Sequence, residues 1–534
     1  MTKNFVTDSG LPIETVYTPE HLKKISFDYA TDLGLPGKWP YTRGIDSEMY
    51  RDRQWIQTIY MGFGSPEDSN KKLKNALKEG KEIGLYVALD LPTQLGLDSD
   101  NPIGSADVGR VGVAIDSLRD MEILFDNIDI EALRFIGTTA FSIGPIMLAM
   151  FIALGEKKGI TSGKYIVKLA NDSLKEFVSR GTYIFPQKVA LKLTTDVIEY
   201  CAKNAPSWQP VMVHGGSFKD AGSTSIQEIG FSLAFIIAYI ESTLERGLDL
   251  DDFVHMFTLR MYTGMDFFEE VAKFRALRKL WAELMRERFE AKTERSLKLD
   301  IQIATSGASL TAQQPINNIV RVTIQAFAAV LAGAQQIRCA AMDEALSTPT
   351  EEALKTALRT QQIIFHESGV ARTVDPLGGS YYVECLTHKI GEGAMEYVKK
   401  VDEMGGVLPA MEKRFFHSEI EKASYKYQKE IEEGTRVVVG VNEYVEEEEI
   451  SIEAVRRDPN VLKNQTEKLK RLKSERDNDR VKDKLRILKE MANNGDNLVS
   501  PIIDAVKTYA TIGEITDALT KVYGKYHEGS IYYS

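Results

Sequence analysis

Polar side chains recur wherever a short apolar run of this sequence gives out. Asp90 and Thr93 close the run at 84–92, Thr138 and Thr139 the run at 133–140, and Asn171 and Asp172 the run at 165–171. His214 and Ser217, Arg260, Thr305 and Ser306, Arg338 and Asp343, and Asp375 close the runs at 210–217, 253–260, 299–306, 334–342 and 369–376. Strand ends are generally more polar than strand centres, but eight in succession point to a site. Hydrolytic and metal chemistry find no support. No GxSxG, HExxH or paired-His motif is present, and Cys201, Cys339 and Cys385 form no CxxC pair.

The runs alternate with long amphipathic stretches, such as 226–246, 267–289 and 314–331. Alternation implies parallel pairing, because parallel strands need a crossover and the crossover is usually a helix. The expected fold is α/β: a (β/α)8 TIM barrel, whose active site is built where the carboxyl ends of the strands share one face. No GxGxxG or GxxxxGK[ST] follows the first run, so the usual reason to prefer an open doubly wound sheet is missing. The expected organisation is an N-terminal arm (1–35), a barrel (36–385) and a helical, charged C-terminal region (386–534). Its acidic run 446–449 reads as a solvated helix face. Its end, TIGEITDALTKVYGKY, has apolar positions at helical spacing and should dock on something.

The 534 residues are 43% hydrophobic and 27% charged, ordinary for a globular chain with a sizeable core. A net charge of −11 argues against a general nucleic-acid surface. The N-terminus lacks the apolar stretch of a signal peptide, and the longest apolar helix candidate, near 231–240, is too short to span a bilayer. No membrane or nucleic-acid partner is expected, and a reducing cytoplasm is the expected setting.

Collinear blocks run through nearly the whole chain. They include MYRDRQWIQTIYMGFGSPEDSN and VALDLPTQLGLDSDNP within 49–102, LANDSLKEFVSRGTYIFPQ (169–187), FKDAG (218–222) and EEVAKFRALRKLWAELM (269–285). TSGASLTAQQPINNIVRV (305–322), MDEALSTPTEEA (342–353), ESGVARTVDPLGGSYYVE (367–384) and VVVGVNEY (437–444) complete them. Together they resemble the large subunit of the coenzyme-B12-dependent acyl-CoA mutases, the methylmalonyl-CoA mutase family. The resemblance implies an acyl-CoA threaded along the barrel axis with adenosylcobalamin across the C-terminal face. It also implies a radical 1,2-shift of the carbon skeleton. The cofactor carries the hard chemistry and the protein supplies orientation and a dry cavity.

Residue by residue, the resemblance implies that Tyr60 and Arg180 grip the free carboxylate of the acyl group, a role suited to a phenol and a bidentate guanidinium. Arg53 matches an Arg that holds the CoA phosphates, and Gln335 falls among the substrate and CoA contacts. Glu344 matches a Glu near the adenosyl ribose, with Leu91, Asp220, Gly307 and Ala345 as further cofactor contacts. Several positions depart from the family. Ser217 replaces the His that donates to the thioester carbonyl, Gly216 the Tyr beside it, and Ala170 and Ala304 two cavity-lining Gln residues. Met256, Asp46, Tyr86 and Thr58 replace an Arg, a Tyr, a Ser and an Arg.

Mostly small groups in place of large polar ones suggest an acyl group bulkier than methylmalonyl, an alkyl- or aryl-branched succinyl-CoA. Methylmalonyl-CoA itself, or a catalytically silent subunit with a binding or assembly role, are the alternatives. The family's cobalamin motif, Asp-x-His-x-x-Gly, is absent from all seven histidines. The resemblance therefore implies a separate small subunit that supplies the cobalt-ligating His and docks near the helical C-terminal region 386–534, in a heterodimer or heterotetramer.

Overall fold

The computed structural model describes residues 5–80, 82–447 and 458–528. Eight short strands form the barrel: β1 (Ile56–Met61), β2 (Ile83–Val87), β3 (Phe135–Thr138), β4 (Val167–Leu169), β5 (Val211–Val213), β6 (Phe257–Thr263), β7 (Asp300–Thr305) and β8 (Gln336–Arg338). Their order is β4-β3-β2-β1-β8-β7-β6-β5, the sequential ring of a (β/α)8 barrel. The chain entering β5 extends the ladder beyond β4. Leu169 N–H donates to the Gln209 carbonyl at 3.0 Å, and Gln209 N–H to the Val167 carbonyl at 2.9 Å.

Two compact units are distinguishable, one comprising 1–58, 213–238 and 257–455, the other 59–212, 239–256 and 456–534. In the first, β6, β7 and β8 pair in parallel, with Arg260 opposite Gln302 and Gln302 opposite Gln336. Helices Phe267–Glu283, Asn317–Leu331 and Tyr381–Glu403 meet through buried Val271, Ala328 and Val383. Arg275, almost fully buried, pairs with Asp375 and Glu384 at 2.5 Å each, so its charge is compensated.

In the second unit, β2, β3 and β4 pair in parallel. A Cβ on Gly84 would stand 2.0 Å from the Phe135 ring, so glycine is what lets that ring lie against β2. Helix Gly144–Lys157 packs against helix Val499–Lys507. The expected docking of the C-terminal stretch occurs here. Helix Ile512–Tyr523 is capped by Thr511, buries Ile512, Ile515 and Leu519, and hangs on Asp98, which accepts from Thr511 Oγ1 (2.8 Å) and Gly513 N–H (2.7 Å). Of the acidic run 446–449, Glu448 and Glu449 lie outside the described residues.

Seven of the eight apolar runs contain a strand; the run at 369–376 does not. Gly369 (φ +77°) and Asp375 (φ +48°) are left-handed and Val370–Arg372 is a single 3₁₀ turn, a backbone no strand can adopt. Asp375 therefore ends no strand and serves the Arg275 and Arg43 ion pairs. The eighth strand is β1, inside IQTIYM. β6 also continues past Arg260 to Thr263, which leaves Arg260 buried in mid-strand.

Gln465 Nε2 donates to Asp116 Oδ2 at 3.0 Å and to Asp120 Oδ1 at 2.8 Å, with all three side chains buried. Burial first, and the neighbouring Asp120 charge second, push Asp116 well above the usual carboxylate range. A carboxyl raised in the folded state adds stability below its ordinary range, and that stability is lost as pH rises through the shifted value. Asp116→Asn imitates the protonated form at every pH. It should raise Tm near about pH 8 and lose that advantage toward about pH 4. Calorimetry on both chains across this range checks the sign, and a pH-independent difference would contradict it.

Candidate active site

Tyr60 is the penultimate residue of β1, its hydroxyl 3.4 Å from Thr139 Oγ1 just beyond β3. Arg180 follows the four-residue helix Glu176–Ser179 and is solvent-exposed. Its guanidinium carbon stands 4.9 Å from the centre of the Phe141 ring, and among the described residues it forms no hydrogen bond or ion pair. Lys175 lies 3.4 Å from the centre of the same ring and pairs with Glu176, both fully buried. Burial lowers Lys175 to about 8, against the pull of Glu176. Glu176 also accepts from Thr182 N–H at 2.9 Å and from its hydroxyl.

Ala170 directly follows β4 and is fully buried. Asp90 follows β2 and caps the short helix bearing Leu91, accepting from Thr93 N–H (3.0 Å) and Gly109 N–H (2.7 Å). Burial raises it to about 6. Leu91 itself is exposed. Tyr86 is fully buried and donates to Met212 Sδ at 3.4 Å.

The other unit gathers a second set of groups at the ends of β5 to β8. Ser217 Oγ lies 2.8 Å from His214 Nδ1. The place left by Gly216 is occupied. A Cβ there would stand 2.4 Å from Cδ1 of Tyr262, whose ring also meets His214 edge-on at 5.6 Å. Buried charges lock Tyr262 in position. Glu228 accepts its N–H at 3.0 Å, and Lys273 donates to its carbonyl at 2.5 Å and pairs with Glu228 at 2.8 Å. Lys219 adds a 3.1 Å pair to Glu270.

Ala304, the penultimate residue of β7, is fully buried, and Ser306, just beyond the strand, donates to Asp220 Oδ1 at 3.3 Å. Partial dehydration, reinforced by the charges of Glu228 and Glu344, pushes Asp220 up to about 7. Arg338, the last residue of β8, pairs with Glu344 at 3.1 Å, and a Cβ on Gly307 would be 3.3 Å from Glu344 Oε1. Ala345 is exposed beside them. A cavity of about 240 Å³ opens here, lined by Lys219, Asp220, Gly222, Ser306 and Arg436 among others.

At the opposite end of β1, a cavity of about 410 Å³ is lined by Arg53, Gln335, Lys38, Lys298 and Asp46 among others. Gln335 is held by backbone on both sides, accepting from Ile301 N–H at 3.1 Å and donating to the Gly333 carbonyl at 2.9 Å. Thr58 accepts from Gln302 Nε2 at 3.2 Å. Position-by-position reading missed Tyr262 and Phe141. Nothing in local sequence says that a ring on the next strand, β6, fills the space of Gly216.

The sequence profile of the methylmalonyl-CoA mutase family matches residues 6–525. Over 99% of its length the chain is 39% identical to the 2-hydroxyisobutanoyl-CoA mutase large subunit of Aquincola tertiaricarbonis, spanning 94% of that protein. Over 97% it is 40% identical to human mitochondrial methylmalonyl-CoA mutase, spanning 68% of it. The Rhizobium meliloti methylmalonyl-CoA mutase is 38% identical over 97% of the chain and is spanned to 72%.

The Gly216–Tyr262 contact generates a direct test. Gly216 lies in a helix, where alanine ordinarily gains about 1 kcal/mol. Gly216→Ala should instead lower stability by about 1–3 kcal/mol, the usual cost of overpacking. Adding Tyr262→Leu should recover most of that loss. Urea unfolding of the single and double variants measures the coupling, and additive effects would mean the ring is not the obstacle.

Proposed function

Because the chain belongs to the methylmalonyl-CoA mutase family of isomerases, we propose that it is the large, substrate-binding subunit of an adenosylcobalamin-dependent mutase acting on a carboxylated acyl-CoA. The observation that carries this reading is Arg180: a guanidinium with no hydrogen bond or ion pair among the described residues, exposed beyond the Phe141 ring. An arginine so placed has its whole donor fork available for a carboxylate. Tyr60, at the end of β1, adds a phenolic hydroxyl.

Arg53 suits the CoA phosphates from its cavity, with Lys38 and Lys298 adding positive charge. Ser217 Oγ, supported by His214, stands in for the thioester donor. The small side chains of Ala170 and of Ala304 support an alkyl or aryl branch on a succinyl skeleton, whereas Gly216 does not, since Tyr262 fills its space.

The residues after β7 and β8 fit the cofactor. Glu344 beside side-chain-free Gly307, and Asp220 nearby, offer carboxylate acceptors to ribose hydroxyls, and exposed Ala345 offers apolar surface; in the other unit, exposed Leu91 after β2 is a further proposed cofactor contact. When bound, adenosylcobalamin would supply the radical that initiates the rearrangement. The chain itself binds, orients and excludes water. A separate small subunit carrying Asp-x-His-x-x-Gly supplies the cobalt ligand, a reading supported by the large-subunit name of one relative.

Reconstitution of the chain with such a small subunit and adenosylcobalamin should isomerise a branched succinyl-CoA faster than methylmalonyl-CoA. No turnover of any carboxylated acyl-CoA would sink the enzyme reading. In the active pair, Arg180→Ala should lower kcat/KM by about 10- to 100-fold, the worth of a charge-assisted hydrogen bond. Unchanged kinetics would remove Arg180 from the anchor.

A further inference from the structure

The turn 139–142, immediately after β3, is tied to both proposed carboxylate anchors. Its first residue, Thr139, lies 3.4 Å from the Tyr60 hydroxyl. Its last, Ser142, donates to the Thr182 carbonyl at 2.8 Å, two residues beyond Arg180. Between them Phe141 adopts φ +32°, outside the regions open to a bulky residue at low cost. Strain of this kind persists only when its surroundings over-determine it, and it gathers at ligand clamps.

The surroundings here are specific. Phe141 N–H donates to the Ala170 carbonyl at 2.7 Å, and its ring is presented to two cations, Lys175 at 3.4 Å and Arg180 at 4.9 Å. Lys175 is committed to Glu176 in the interior. Arg180 forms no hydrogen bond or ion pair among the described residues; its charge is felt by buried Glu176 and Lys175, and its guanidinium stands over the Phe141 ring. A cation over a ring is attracted to the face without using its N–H donors. Phe141 can therefore fix the plane of the guanidinium and leave the donors for a ligand. A salt bridge from the protein would have held the same group but occupied its fork.

We infer that Phe141 is a positioning residue that aims Arg180 at the substrate carboxylate. With Thr139 on the same turn, it makes the two anchors one unit selective for carboxylated acyl-CoA esters. The inference rests on the carboxylate-anchor reading above, and its test separates the two. The full chain is titrated calorimetrically with succinyl-CoA and with butyryl-CoA, which replaces the carboxylate with a methyl group. Phe141→Leu should weaken succinyl-CoA binding about fivefold to tenfold and leave butyryl-CoA unchanged, and Phe141→Tyr should restore it. Incorporating 3,4,5-trifluorophenylalanine at 141 keeps the ring's shape while draining its face of charge, so it should reproduce the leucine effect even if Phe141→Leu folds poorly.

Equal weakening of both esters, or of neither, while Arg180→Gln still selectively weakens succinyl-CoA, would overturn the role of Phe141 and leave the anchor standing. If Arg180→Gln spares succinyl-CoA, the anchor reading fails and Phe141's role fails with it.

Discussion

The parallel ladder is the constraint on which everything else depends. Every strand must run in the same direction, so every carboxyl end delivers the next loop to the same end of its ladder. Those ends need not be long to do this. β4, β5 and β8 have three residues each, yet the residues just past them are Ala170, His214 and, after Cys339 and Ala340, the loop bearing Glu344. Hydrogen bonds within the ladder fix the backbone, and the side chains beyond it are left free to vary.

Buried charge does the second part of the positioning. Lys273, Glu228 and Glu270 in one unit, and Lys175 and Glu176 in the other, lie fully out of water. Such groups are weak contributors to net stability, because desolvation offsets their attraction. Their partners here are informative: Glu228 and Lys273 grip both backbone polar groups of Tyr262, and Glu176 grips Thr182 close to Arg180. Removing any one partner strands a buried charge, so the backbone around each proposed site group has one low-energy arrangement. This is specificity of conformation obtained at little gain in overall stability.

The barrel was legible from alternating apolar runs and amphipathic stretches, because both periodicities are local. β1 was not, because Gln57 and Thr58 interrupt the apolar residues of IQTIYM, whereas 369–376, with Val370, Ala371 and Val374, falls where the alternation calls for an eighth unit. Only its two left-handed residues and the ion pairs of Asp375 reveal what it is. The candidate site residues were placed by motif, and the structure adds their surroundings: Arg180 over Phe141, Ser217 beside His214, Gln335 held by backbone. Tyr262 and Phe141 were out of reach, because their importance lies in which distant residue they touch.

Gly216 shows why a pocket cannot be sized by reading substitutions singly. A tyrosine-to-glycine change looks like a cavity gained. Interiors are close-packed, however, and space vacated by one side chain is usually taken by another. Tyr262 takes this one, and Tyr86 fills the space up to Met212. Ala170, Ala304 and Thr58 are also small, and all three are buried, Thr58 against the Gln302 amide. Space for a substrate therefore has to be read from which side chains meet, as Tyr262 meets the place of Gly216, and not from the size of one residue at a time.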